Sequence, residues 1–202
     1  MVRSTLCLAI AVIVTAPVSA QNLLVNPGFD VPDQLTGWTC TTTSGVASWS
    51  MVDRLGSPTS GSMQHDVSAD ADDRSVRCTQ CVPIVENDGY IASAWYYWPD
   101  DPGVFQTGST RVTFSFYNDA GCTVNAGGGV GKIAFPVLDT WVHVNSPEGI
   151  APAGSVAAGV FFFTWQYNAN EFVRARLDDL DFSTTTIFRD GFESGDITAW
   201  SP

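Results

Sequence analysis

Apolar and polar residues alternate with a period of two along most of this chain. Arg111 to Tyr117 places Val112, Phe114 and Phe116 on one side and Thr113, Ser115 and Tyr117 on the other, the pattern of a half-buried strand. Ser155 to Trp165 sets Val156, Ala158, Val160 and Phe162 in an interior row and leaves Phe161, Phe163 and Trp165 on the opposite side. Tyr90 to Trp98 carries aromatics in both rows; with Tyr90, Ala92 and Ala94 inward, Trp95 and Tyr97 point out. Further β-branched or aromatic runs cover Val46 to Val52, Val82 to Val85, Gly131 to Phe135, Trp141 to Asn145 and Phe172 to Phe182, with Leu23 to Val25 as a short first strand. Clusters of Gly, Pro, Asn and Asp separate them at Gly56 to Gly61, Asn87 to Gly89, Pro99 to Gly103, Asn125 to Gly129 and Ser146 to Gly154, which marks turns. No window has a helical period with caps beyond a single turn around Asp70 to Arg74. Eight or nine strands at such spacing predict an all-β fold, an antiparallel β-sandwich.

The first twenty residues stand apart. Arg3 supplies a positive start, Leu6 to Val14 an apolar stretch too short to span a bilayer, and Val18-Ser19-Ala20 a small-residue cleavage site, the layout of a signal peptide over residues 1–20. The expected product is secreted, extracellular or held at the cell surface or in the periplasm. No later stretch reaches the ~20 apolar residues of a membrane helix. Residues 21–182 suit one sandwich domain, and residues 183–202 form a polar linker and a tail, Asp190-Gly191-Phe192-Glu193-Ser194-Gly195-Asp196 followed by Trp200.

Charge and cysteine count narrow the picture. The whole chain carries a formal charge of −12, with 21 acidic residues against 9 basic; without the leader and its one Arg the figure is −13. Such a surface disfavours nucleic acid and anionic membranes as partners, and a soluble monomer kept apart by self-repulsion is expected. Beyond Cys7 in the leader, Cys40, Cys78, Cys81 and Cys122 remain, an even number in an oxidising compartment and hence two disulfides of open connectivity. Cys78 and Cys81 form a C-x-x-C without the second pair or the histidines of a zinc site and without the helix N-terminus of a redox site.

Catalytic patterns are missing from the sequence. His65 and His143 are far apart, and no G-x-S-x-G or H-E-x-x-H occurs. The four glutamates, Glu86, Glu148, Glu171 and Glu193, each sit in or beside a turn or terminal segment, so no carboxylate pair is placed across a cleft as glycoside hydrolysis needs. The reading is therefore not an enzyme, with a small hydrolase as the remotest option.

The segment Asn22-Leu-Leu-Val-Asn26-Pro27-Gly28-Phe29-Asp30, closing on Leu35-Thr36-Gly37-Trp38, resembles the opening of the carbohydrate-binding-module-like, galactose-binding-like jelly rolls of secreted bacterial proteins, with Asp30 where that family usually has Glu. Gln80-Cys81-Val82 and the Cys122 turn also match, and the resemblance implies Cys81 bonded to Cys122 and Cys40 to Cys78. The closing Leu177-Asp178-Asp179-Leu180 is similar to the family's last strand, which implies a structural Ca2+ held by Asp30 and Asp178, with Asp179 as alternative and the Ser60-Gly61-Ser62 carbonyls and Asp53 completing the shell. The tail is similar to a short terminal motif on exported bacterial proteins and echoes Gly28-Phe29-Asp30. Outward aromatics supply faces for pyranose C–H patches. We therefore expect a polysaccharide or glycan on one sheet face at Trp95, Tyr97, Tyr117, Phe163 and Trp165, with Asn118, Gln166, Asn168, Asn170, Arg111 and Thr113 as polar partners. The alternative is a surface-associated structural or adhesive protein that uses the same sandwich for protein or matrix contacts.

Overall fold

The computed structural model describes residues 21–68, 75–102, 107–168 and 171–185. The leader, the turn around Asp70 to Arg74, Asn170 and the tail lie outside the described residues. The strands are β1 (Thr39–Thr42), β2 (Gly45–Ser50), β3 (Ser62–Val67), β4 (Ser75–Pro83), β5 (Gly89–Tyr97), β6 (Gly108–Tyr117), β7 (Asn125–Ala134), β8 (Trp141–Asn145), β9 (Gly149–Ile150), β10 (Ala157–Gln166) and β11 (Val173–Thr184). They form two antiparallel sheets, one in the order β1-β4-β10-β6-β7 and the other β2-β3-β11-β5-β8, with β9 pairing β5. The fold is the predicted all-β sandwich.

Alternation decides which side chains meet between the sheets. From the five-stranded sheet, Val76, Cys78 and Val82, then Ala158, Val160 and Phe162, then Val112, Phe114 and Phe116 are buried. The second sheet answers with Met63, His65 and Val67 from β3 and Tyr90, Ala92, Ala94 and Tyr96 from β5. The interior row expected on β10 is present except for Val156, which precedes the strand and is 46% exposed. On β11, Val173, Ala175 and Leu177 are buried, and then the parity changes to Leu180 and Phe182. A bulge between Asp178 and Asp181 inserts the extra residue, with Asp179 at φ 46°, so both apolar rows reach the core.

Three expectations need correction. Leu23 to Val25 is not a strand. Its backbone is held instead by Phe182, whose carbonyl accepts from Leu23 N–H at 2.8 Å, and by the Gln80 amide, which brackets Val25 through its N–H (2.9 Å) and carbonyl (2.6 Å). A side-chain amide here replaces a neighbouring strand. Asn125 to Gly129 is not a loop but the start of β7, where positive φ at Gly127 and Gly128 accompanies a bulge opposite Phe116. β1, β3 and the first half of β4 escaped prediction because Thr, Ser, Gln and Arg fill them.

The N-terminal segment closes one end of the core. Phe29 is fully buried and lies 6.0 Å from the Trp38 ring, which meets Phe162 edge-on at 5.6 Å. Trp49 Nε1 donates to the Phe29 carbonyl at 3.0 Å. Cys40 is bonded to Cys78 and Cys81 to Cys122, the pairing that the resemblance implies. The first joins directly paired positions of β1 and β4. The second ties β4 to the β6–β7 turn, whose Asp119 carboxylate accepts from the N–H groups of Gly121, Thr123 and Val124.

The two bridges close spans of 38 and 41 residues, so loop entropy gives them similar contributions, about 3–4 kcal/mol each in the chain-entropy model. Cys78 is fully buried whereas Cys81 is exposed, so Cys40→Ala/Cys78→Ala should lower the denaturation midpoint more than Cys81→Ala/Cys122→Ala. Chemical denaturation of the two double variants checks this order.

His65 is buried with its Nδ1 2.9 Å from Thr164 Oγ1 on the facing sheet, and burial pushes its pKa down to about 3. The unfolded imidazole takes a proton below pH ~6.5 while the folded one does not. Stability therefore falls as pH drops from about 6.5 toward 3, and His65→Gln should remove that loss in thermal melts at stepped pH.

Candidate functional site

The outer face of the five-stranded sheet is set by the other half of the alternation. Register places residues in rows across it: Thr41, Arg77, Phe163, Arg111 and Ile133 in one, and Thr39, Thr79, Phe161, Thr113 and Gly131 in the next. Trp165 lies one row beyond Phe163, between Ser75 and Ser109. Along β10 the rings form a ladder. Phe161 and Phe163 are 6.4 Å apart, and Phe163 and Trp165 are stacked at 6.1 Å with 17° between their planes. The Arg77 guanidinium lies 4.1 Å from the Phe161 centroid and 5.4 Å from that of Phe163, and its Nε donates to Thr79 Oγ1. Burial under these rings holds Arg77 below its ordinary pKa, with the Tyr117 phenol opposing.

Hollows flank the ladder. One, of about 350 Å³, lies among Arg77, Thr79, Tyr117, the Cys81–Cys122 bridge and Phe161. Gly159 makes room between them, because a Cβ there would stand 2.8 Å from the Phe161 ring and 2.9 Å from Tyr117. The other, of about 230 Å³, is lined by Ser109, Arg111, Ile133, Phe163, Trp165 and Tyr167, with the Ser109 and Tyr167 hydroxyls 2.7 Å apart. Trp165 is 39% and Tyr167 57% exposed, an apolar surface with hydroxyl and guanidinium donors at its edges.

The five aromatics expected on one face are divided between two. Tyr117, Phe163 and Trp165 belong to β6 and β10, whereas Trp95 and Tyr97 lie on β5, on the outer side of the opposite sheet. Parity tells inside from outside but not which sheet a strand joins. On that second face Trp95 packs on His143 (4.8 Å) beneath Arg54 (4.5 Å). Tyr97 packs on Trp141 (5.2 Å) beneath Arg176 (5.6 Å), and its hydroxyl donates to Asp139. Ion pairs fill the remainder: Arg54 with Asp179, and Arg174 with Asp66 and Asp101. Those rings already have protein partners.

Of the polar partners expected, Arg111 and Thr113 are on the ladder face and Asn118 follows β6. Gln166 is buried, and its amide donates to the carbonyls of Asn168 and Glu171. Arg77, Phe161 and Tyr167 were missed as site residues. Arg77 was legible in Val76-Arg77-Cys78-Thr79-Gln80, where the polar residues at alternate positions give it an outward side chain.

The three acids assigned to calcium do not assemble. Among the described residues no group of three or more Asp, Glu, His or Cys side chains comes together in a metal-holding cluster. Asp30 is exposed, and Asp179 is taken by the Arg54 guanidinium. Asp53 accepts from Leu55 and Ser57 N–H in its own turn. Asp178 is fully buried and accepts from the backbone N–H groups of Arg54 (2.8 Å) and Asp179 (2.7 Å). Burial raises its carboxyl to about 7 against those two hydrogen bonds, and the charges of Asp179 and Asp53 add to the rise.

No family model matches the chain, and no curated protein does. Solved structures do. The chain is similar to TmCBM61 in complex with β-1,4-galactotriose, with a TM-score of 0.56 and 12% identity over 82% of this chain and 99% of that one. It is similar to the CBM22-1 xylan-binding domain from Paenibacillus barcinonensis Xyn10C, with a TM-score of 0.55 and 15% identity over 86% of this chain and all of that one. Bacteriophage CBA120 tailspike protein 4 gives a TM-score of 0.62 at 13% identity, but the match spans only 21% of that chain. At such identities the likeness is one of fold: the chain has the β-sandwich of carbohydrate-binding modules.

For Asp178 the folded carboxyl holds its proton to about pH 7, while the unfolded one loses it near 4. Folding is thus penalised progressively as pH rises from about 4 to 7, opposite in sign to His65. In chelator, Asp178→Asn should leave the His65 trend unopposed, so that the variant gains more stability than wild type as pH rises over this window in paired thermal melts. Added calcium raises the melting temperature at pH 7, and Asp178→Asn abolishes the rise, only if this carboxylate is an ion ligand.

Proposed function

We propose that the protein is a secreted, non-catalytic glycan-binding module that engages a polysaccharide on the outer face of the five-stranded sheet. The observation that carries this reading is the Phe161–Phe163–Trp165 ladder along β10, with a hollow on either side and hydroxyl and guanidinium donors at its edges. The exposed Trp165 and half-buried Phe163, backed by the buried Phe161, offer apolar surface to a sugar ring, and the polar rim offers partners for hydroxyls. The fold supports the reading. Modules of the same architecture were solved with β-1,4-galactotriose and named for xylan binding. Disulfides and this sandwich are both typical of extracellular proteins, in keeping with export. Among the described residues no helix is long and apolar enough to cross a membrane.

Affinity electrophoresis and calorimetry against a panel of plant and bacterial polysaccharides test the assignment. Trp165→Ala and Phe163→Ala should each weaken binding by about tenfold or more, the scale of losing one well-packed aromatic contact. Trp95→Ala, on the opposite sheet, should leave it unchanged. Binding lost in Trp95→Ala and kept in Trp165→Ala would move the site to the other sheet. A folded protein that binds nothing in the panel would favour the structural or adhesive alternative.

A further inference from the structure

We infer that the ligand of this face is an acidic polysaccharide, whose carboxylate or sulfate groups pair with Arg77 and Arg111 on either side of Phe163; the inference rests on the glycan-binding reading above. Charge placement carries it. The outward strand positions of the five-stranded sheet include no Asp or Glu, although the chain has 21 acidic residues, and they hold two of its arginines. On the opposite sheet the arginines lie among the protein's own carboxylates: Arg54 and Arg174 are ion-paired, and Arg176, which donates to Gln64, has the charges of Asp101 and Asp66 nearby. Among the described residues no ion pair reaches Arg77 or Arg111.

The geometry is specific. Phe163 is the register partner of Arg77 on β4 and of Arg111 on β6, so the two arginines flank one ring in a single row. Two strand spacings separate their backbones by about 10 Å. Arg77 is pinned by the rings of Phe161 and Phe163 and by its Nε bond to Thr79. Its terminal N–H groups are left free of any carboxylate among the described residues, and the guanidinium is partly desolvated against the two rings. A guanidinium so placed presents a preorganised fork to an oxyanion and loses little freedom on pairing. Arg111 is exposed at the edge of the second hollow. A sugar ring stacked on Phe163 would carry its substituents toward one arginine or the other. A neutral glycan offers these guanidiniums hydroxyl acceptors but no countercharge, whereas a uronate or a sulfate ester supplies one.

The test uses the oxidised protein at 0.15 M salt with three probes: polygalacturonate, the same polymer after reduction of its carboxyls to alcohols, and a sulfated galactan. We expect an acidic polymer to bind about tenfold or more tightly than the carboxyl-reduced one, with affinity falling as salt rises. Arg111→Gln and Arg77→Gln should each remove most of that difference, weakening the acidic polymer far more than the reduced one. Arg111 is exposed, so its variant reads charge without a folding defect, and Arg77→Lys separates loss of charge from loss of packing. Preference for the sulfated galactan over polygalacturonate, with the same arginine dependence, keeps the proposal and makes sulfate the group recognised. Equal binding of the acidic and reduced polymers, or tight acidic binding that survives both Gln substitutions, overturns the inference while leaving glycan binding in place. Failure to bind any polysaccharide overturns both.

Discussion

Strand β10 must satisfy two neighbours at once, and the rest of the architecture follows from how it does so. It lies in the middle of the five-stranded sheet, with β4 on one side and β6 on the other. Its inner row of Ala158, Val160 and Phe162 is fully buried against the facing sheet. Its outer row of Phe161, Phe163 and Trp165 has no second layer of strands above it. A strand apolar on both faces is ordinary where both are covered. Here one face is covered by protein, while on the other Phe161 is buried beneath Arg77, Phe163 is half-buried and Trp165 is exposed, and the open end of that aromatic row is what asks for a partner. The same register that seals the core aligns Arg77 and Arg111 with Phe163, so the site is a by-product of the pairing that folds the sheet.

The devices that hold this pairing are at the rim. Cys81–Cys122 ties β4 to the turn after β6, reaching past β10 at the level of Gly159, where the missing side chain leaves room for the rings of Tyr117 and Phe161. At the opposite face of the sandwich the β11 bulge brings both Leu177 and Leu180 inward, at the cost of burying Asp178. That acid is opposed in its effect on pH dependence by His65, which is buried neutral between the sheets. Asp178 lies on the other sheet and His65 meets only the inward side of β10 through Thr164, so both bear on stability.

Strand existence and the inward rows were legible because a period of two is a local signal, as in Val112, Phe114 and Phe116 or Tyr90, Ala92 and Ala94. The bulge was legible in principle: the odd-numbered apolar set Val173, Ala175, Leu177 gives way to the even-numbered Leu180 and Phe182, and only an extra residue allows both to face one core. What could not be read was strand order. Trp95 and Trp165 share the outward parity, yet β5 and β10 enter different sheets, and nothing within either segment says so. Leu23 to Val25 misled for a related reason, since the partner completing its hydrogen bonds is the side chain of Gln80, 55 residues away. The five aromatics proposed as one cluster therefore became two groups, and Arg77 was overlooked because polar residues masked the start of β4.

Net charge misleads in the same way when taken as a property of the whole surface. A total of −12 argues against polyanions only if the charge is spread evenly, and here it is not. The carboxylates with assigned partners are tied up at loops and on the β3–β11–β5 side, in the Arg54–Asp179 and Arg174–Asp66 pairs and the Asp119 turn. The ladder face keeps two arginines without one acid among its strand positions. At physiological ionic strength exposed charges beyond about 8 Å are largely screened, so a bound chain senses the guanidiniums beside Phe163 far more than the acids on the other side of the sandwich. Long-range repulsion slows the approach of such a ligand and short-range pairing decides whether it stays. In the proposed reading, that division of roles is how an acidic protein selects an acidic glycan.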